Sequence, residues 1–204
     1  MAPNLNKTVV FLESIGITCT PKVGATGVLK HVRILDGGLH FDGRVAVEDM
    51  LHDAGHLAII PDRYRRFANV DLTAAVGAMS RDLEAGVCEV DSPLMRAVLQ
   101  STDSEATAWA WAAGTHLSLP PKVIISNAAY GGDGAVIRLQ LQLGKHLGIH
   151  GLWHSDMCAR PSQTSLPQYP NLLCWTQKIG SKEADCFSPY ADDSARPERT
   201  RAWG

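Results

Sequence analysis

Between residues 5 and 15 the apolar side chains Leu5, Val9 and Leu12, flanked by Val10, Phe11 and Ile15, recur at helical spacing before Gly16, which predicts a short amphipathic helix with a glycine stop. Over residues 24–47 the period changes. Glycines punctuate short apolar runs, and Val32-Arg33-Ile34-Leu35, Asp36-Gly37-Gly38 and Leu39-His40-Phe41 read as strand, tight turn and strand. Residues 47–60 are again helical, with Glu48 and Asp49 in the first turn, where acidic groups suit the helix dipole, and Pro61 at the end. Helices are also expected over residues 71–85 and over residues 103–113, the latter alanine-rich and followed by Pro120-Pro121. Gly131, Gly132 and Gly134 mark a loop. Beyond it, Val136, Leu139, Leu143 and Leu147 recur at helical spacing over residues 135–147, which predicts a core-facing helix. From about Ser188 onward the chain is polar, charged and poor in aliphatic side chains, so it offsets its ordering entropy badly and reads as a loose tail. The expected architecture is α+β: a mainly helical single domain over residues 1–187, with a small N-terminal antiparallel sheet leading into a pair of helices, and a tail over residues 188–204.

Composition narrows the function. At 204 residues the chain fits one ordinary core, and its 45% hydrophobic and 20% charged residues are those of a globular protein. No apolar run approaches the roughly 20 residues that span a bilayer, so no membrane partner is expected. The N-terminus lacks a charged segment followed by an apolar stretch and a cleavage site, which makes the cytoplasm the expected compartment. The five cysteines are scattered, odd in number and without a C-x-x-C pair, so they read as reduced packing thiols. A formal net charge of -2 with dispersed lysine and arginine offers no field for nucleic acid. The small basic cluster Arg63, Arg65 and Arg66 reads as a solvated face.

The chemistry concentrates in Leu51-His52-Asp53-Ala54-Gly55-His56. Histidines four apart lie on one helical face, about 5–6 Å apart at Cβ, and can aim two imidazole nitrogens at one ion. Such pairs also occur by chance, so the neighbouring acids matter. Asp53 follows the first histidine on an adjacent face, where a carboxylate can serve an activated water as general base rather than ligate the metal. An open tetrahedral site needs a third protein ligand, and Glu105, opening the run Glu105-Ala106-Thr107-Ala108-Trp109-Ala110, is the candidate, because small residues let that helix lie close to the histidines. Trp109 and Trp111 read as core. His146, His150 and His154 recur every four residues, but Gly148 and Gly151 argue against an unbroken metal-binding stripe. His116 should point away from the site, and His31 and His40 belong to strand-like sequence.

These residues resemble the ImmA/IrrE family of zinc metallopeptidases, in which a H-E-x-x-H helix is followed by a helix of the form E-A-x-x-aromatic-A. The matches are His52-Asp53-Ala54-Gly55-His56 and Glu105-Ala106-Thr107-Ala108-Trp109-Ala110, with Leu119-Pro120 similar to the apolar-proline ending of that second helix, and they cover about residues 30–121. The resemblance implies a zincin-like, gluzincin-type fold, one Zn2+ per chain on His52, His56 and Glu105, and hydrolysis of an intracellular protein or peptide substrate with Asp53 as general base. An oxyanion-stabilising donor is then needed, and His150 is preferred to His154 or Tyr130. The chain departs from the pattern in carrying Asp53 where the family has glutamate, a stem shorter by one methylene. Three other readings stay open: an HD-type metal-dependent phosphohydrolase with Asp53 as a ligand, a metallopeptidase-like binding protein with weak or no hydrolysis, and an iron or manganese site, since two histidines and one carboxylate also make a facial triad.

Overall fold

The computed structural model describes residues 2–179. Helix α1 (Pro3–Ser14) has proline in its first turn, where a missing N–H costs nothing, and buries Leu5, Val9 and Leu12. Three short strands follow: β1 (Cys19–Pro21), β2 (Val32–Leu35) and β3 (Gly38–Phe41). The expected hairpin forms, with β2 and β3 antiparallel and Val32 opposite Phe41, and Gly37 takes the positive φ of 76° that the turn requires. The sheet is mixed rather than wholly antiparallel, because β1 pairs in parallel with β3 to give the order β1-β3-β2.

Helix α2 (Val47–Ile59) carries the two histidines and turns Met50, Leu51, Ala54, Leu57 and Ala58 into the core. Short α3 (Asp62–Arg65), α4 (Thr73–Glu84) and α5 (Pro93–Leu99) lead to α6 (Asp103–His116). Every residue of α6 from Glu105 to Gly114 is buried, as a helix apolar all round must be. It is the central element, with α2 on one side and α9 (Leu147–His154) on another. Trp109 is fully buried, and its indole N–H donates to the Trp175 carbonyl at 2.9 Å. Short α7 (Pro121–Ile124), a 3-10 turn (Tyr130–Gly132) and α8 (Gly134–Gln142) complete the described residues.

Two expectations need correction. The stripe on residues 135–147 is not core: Val136, Leu139, Leu143 and Leu147 are 54%, 55%, 63% and 71% exposed. Helix α8 stops at Gln142 ahead of Gly144, which has φ of 66°, and the side it turns inward carries Arg138 and Leu141. Arg138 donates to the Ile125 carbonyl at 2.6 Å and to Asn127 Oδ1 at 2.5 Å, so a polar tie, not the aliphatic stripe, sets the helix's rotation. Arg65 is not part of a solvated basic face either. Its guanidinium donates to the carbonyls of Leu57 (2.7 Å) and Ile60 (3.3 Å), orphans at the end of α2, and to that of Gln177 (3.0 Å). Cys19, Cys88, Cys158 and Cys174 are free thiols, while Cys186 and the tail over residues 188–204 lie outside the described residues. No helix among the described residues is long and apolar enough to cross a membrane.

Candidate metal centre

Helix α2 presents His52 and His56 at the edge of its buried face, and α6 lies against the same edge because glycine and alanine meet there. A Cβ on Gly55 would stand 2.5 Å from the Ala106 carbonyl oxygen, so only glycine permits this approach of the two backbones. The close approach brings the first turn of α6 to the imidazoles. The carboxylate that arrives is Asp103, not Glu105. His52 Nε2 lies 3.1 Å from Asp103 Oδ1 and 3.2 Å from His56 Nε2, and His56 Nε2 lies 3.5 Å from Asp103 Oδ1. Among the described residues, these three form the group of histidine, cysteine and acidic side chains whose ligand atoms converge closely enough for one ion.

The donor set fits a cation. Four-coordinate ligands about 2.0–2.1 Å from an ion stand roughly 3.3 Å from one another, and the three edges here scatter about that length. Two imidazole nitrogens and a carboxylate oxygen cannot all face one another as lone pairs. A proton or a metal ion must sit between them, so His52, His56 and Asp103 could hold a metal ion. The imidazoles hold the Asp103 carboxyl well below the usual carboxylate range, which keeps it ionised.

Glu105 has other work. Asp103 and Glu105 are two positions apart, about 200° around the helix, so they cannot face the same neighbour. Asp103 faces α2 with Ala106; Glu105 faces α9, where its Oε1 would lie 2.0 Å from a Cβ on Gly151. Its Oε2 accepts from the Thr102 hydroxyl. Thr102-Asp103-Ser104-Glu105 has the T-x-x-E spacing of a capping box at the start of α6; the Thr102 side chain makes no capping bond to the backbone, and the spacing instead pairs its hydroxyl with the Glu105 carboxylate. Asp103 carries no sequence signature of its own beyond sharing a helical face with Ala106, Thr107 and Ala110.

Asp53 is 8% exposed and lies outside the converging group. Burial pushes its carboxyl up to about 6; the neighbouring His52 acts in the opposite sense and Asp49 reinforces the rise. His150 is not at the histidine pair. It lies on α9 in a separate cleft lined also by Lys145, Trp153 and Tyr169, its ring 4.5 Å from that of Trp153. The side chain that does reach the histidine pair is Tyr130, whose hydroxyl is 3.2 Å from His52 Nδ1 and 2.8 Å from Thr107 Oγ1. His116 stacks on Phe11 and Trp175 at ring distances of 5.5 and 5.0 Å, away from the ligands, as expected.

A cleft of about 220 Å³ opens beside His52, with Leu29, Ala110, Ile124 and Ile125 as apolar walls and Glu48, Asp49 and Tyr130 as polar ones. Burial raises the Asp49 carboxyl, and Glu48 adds to the rise. Comparison of the chain with protein-family models, with curated proteins and with solved structures found no match.

Proposed function

We propose that the protein is a metal-dependent hydrolase of peptide bonds, with zinc on His52, His56 and Asp103. The observation that carries this reading is the convergence of those three donors at 3.1–3.5 Å, one of them, His52, lining a partly apolar cleft. The H-x-x-x-H pair on α2 and its resemblance to the ImmA/IrrE peptidases set the substrate class; Asp103 takes the place given to Glu105 by that resemblance. When bound, such an ion supplies Lewis-acid activation of water and carbonyl. The resemblance gives Asp53 the part of general base, and a buried carboxyl raised to about 6 would take up and release a proton near neutral pH. The apolar walls of the cleft hold a substrate side chain and keep water from it.

The phosphohydrolase reading loses support because it needs Asp53 among the ligands and a histidine from an earlier helix. Asp53 is outside the converging group, His31 sits in a turn with φ of 64°, and His40 is on β3. Zinc-loaded protein incubated with a mixed peptide pool and followed by mass spectrometry tests the proposal. Cleavage that Asp53→Asn abolishes while one zinc per chain is retained supports it. Retained zinc with no cleavage in the wild type overturns it in favour of a binding role.

A further inference from the structure

We propose that Tyr130 and Thr107 are positioning residues for the metal ligand His52, forming a directed hydrogen-bond relay that fixes its tautomer. The inference rests on the metal-centre reading. The directions of the three bonds follow from proton accounting. Thr107 Oγ1 is 2.9 Å from the Asp103 carbonyl, which has no proton to give, so the threonine donates its single hydroxyl proton there. Toward Tyr130, at 2.8 Å, Thr107 is then the acceptor, and the phenol spends its own single proton on it. What the Tyr130 oxygen offers His52 Nδ1, at 3.2 Å, is a lone pair. His52 must therefore carry a proton on Nδ1, which leaves Nε2, the atom facing His56 and Asp103, as the nitrogen with a free lone pair.

The relay begins on the backbone of one ligand, Asp103, and ends on the ring of another, His52. It ties the first turn of α6 to α2 through the same loop that lines the cleft. Tyr130 adopts φ of 54°, an uncommon conformation for a tyrosine, followed by Gly131 at 70° and Gly132 at 106°. Two anchors hold it: the Ser126 N–H donates to Glu48 Oε2 on α2 at 2.5 Å, and Arg138 of α8 grips Ile125 and Asn127. A Cβ on Gly134 would fall 1.9 Å from the Ser126 carbonyl oxygen, so the loop and α8 are in direct backbone contact. Partners of this kind orient a ligating histidine, and their loss weakens metal affinity by about 10- to 100-fold.

The test is a competitive zinc titration against a chromophoric chelator on wild type, Tyr130→Phe, Thr107→Val and Thr107→Ser. Cobalt(II) absorption spectra report site geometry, and thermal melting of the metal-free proteins reports the fold. Expected are a roughly 10-fold or greater loss of affinity in Tyr130→Phe and Thr107→Val with an altered cobalt spectrum, and rescue in Thr107→Ser, which keeps the hydroxyl. In zinc-loaded wild type, 15N NMR of the His52 ring should show the proton on Nδ1. Equal affinity in wild type, Tyr130→Phe and Thr107→Val, or a His52 bound through Nδ1, overturns the relay while leaving the metal centre standing. A wild type that takes up no zinc overturns both.

Discussion

Gly55→Ala tests how tightly the geometry of the centre depends on one backbone contact. At a free helical position the change would stabilise the protein by about 1 kcal/mol, through helix propensity alone. Here the new Cβ would meet the Ala106 carbonyl oxygen at 2.5 Å and its Cα at 3.1 Å, both rigid backbone atoms. Restoring an ordinary contact of 3.4 Å requires α2 and α6 to part by about 0.9 Å. Overpacking of this kind costs roughly 1–3 kcal/mol, and because backbone cannot step aside the upper part of that range applies, for a net loss of about 1–2 kcal/mol. The same displacement carries Asp103 away from His52 and His56 by close to half of a zinc–oxygen bond length of about 2.0–2.2 Å, enough to weaken metal binding by about 10-fold. Urea denaturation of the metal-free variant gives the first quantity and zinc titration the second. A Gly55→Ala protein about 1 kcal/mol more stable than wild type, with unchanged affinity, would refute the close-approach argument.

Other perturbations read other parts of the structure. Burial raises Asp53 from 3.8 to about 6, so its folded pKa exceeds its unfolded one; stability is then greatest below about pH 4 and falls as pH rises to about 6. At about 1.36 kcal/mol per pH unit, Asp53→Asn should stabilise metal-free protein by up to about 3 kcal/mol at pH 7.5 and by little at pH 4, measured by urea denaturation at both. A gain equal at the two pH values would contradict it. Arg65→Met removes the donor to two carbonyls at the end of α2 and to that of Gln177, and should cost about 3 kcal/mol in the same assay; a loss under about 0.5 kcal/mol would show that water satisfies those carbonyls. Leu139→Lys and Leu143→Lys should each leave the melting temperature of the protein nearly unchanged, because both side chains are more than half exposed; a loss of about 2 kcal/mol would restore the core reading of that stripe.

The legible elements were those whose pattern and neighbours agree. Helix α1 announces itself by apolar spacing before Gly16, α2 by its composition with an acidic first turn and Pro61 at the end, α6 by its alanine-rich run ahead of Pro120-Pro121, and the β2–β3 hairpin by Asp36-Gly37-Gly38 between two apolar runs. Strand β1 was not legible, because Cys19-Thr20-Pro21 has no periodicity and exists only through its parallel register with β3. The stripe on α8 misled because periodicity reports that one side is apolar, not which side faces inward; Arg138 decides that through contacts a sequence does not display. At the candidate metal centre, His52 and His56 could be read from spacing alone. The third donor could not. Glu105 and Asp103 both stand in the first turn of α6, and which one meets the histidines depends on the rotation of α6 between α2 and α9, set by Gly55 on one side and Gly151 on the other. Tyr130 is far from the ligands in sequence, and only the loop anchored by Glu48 and Arg138 brings it to His52.

Elemental analysis of bound metal in wild type, Asp103→Ala and Glu105→Ala, each loaded with zinc and freed of excess, tests the central assignment most directly. The proposed site predicts one ion per chain in the wild type, loss in Asp103→Ala and retention in Glu105→Ala, the last lacking only the carboxylate that accepts from the Thr102 hydroxyl. Retention in Asp103→Ala with loss in Glu105→Ala would contradict it and return the third ligand to Glu105.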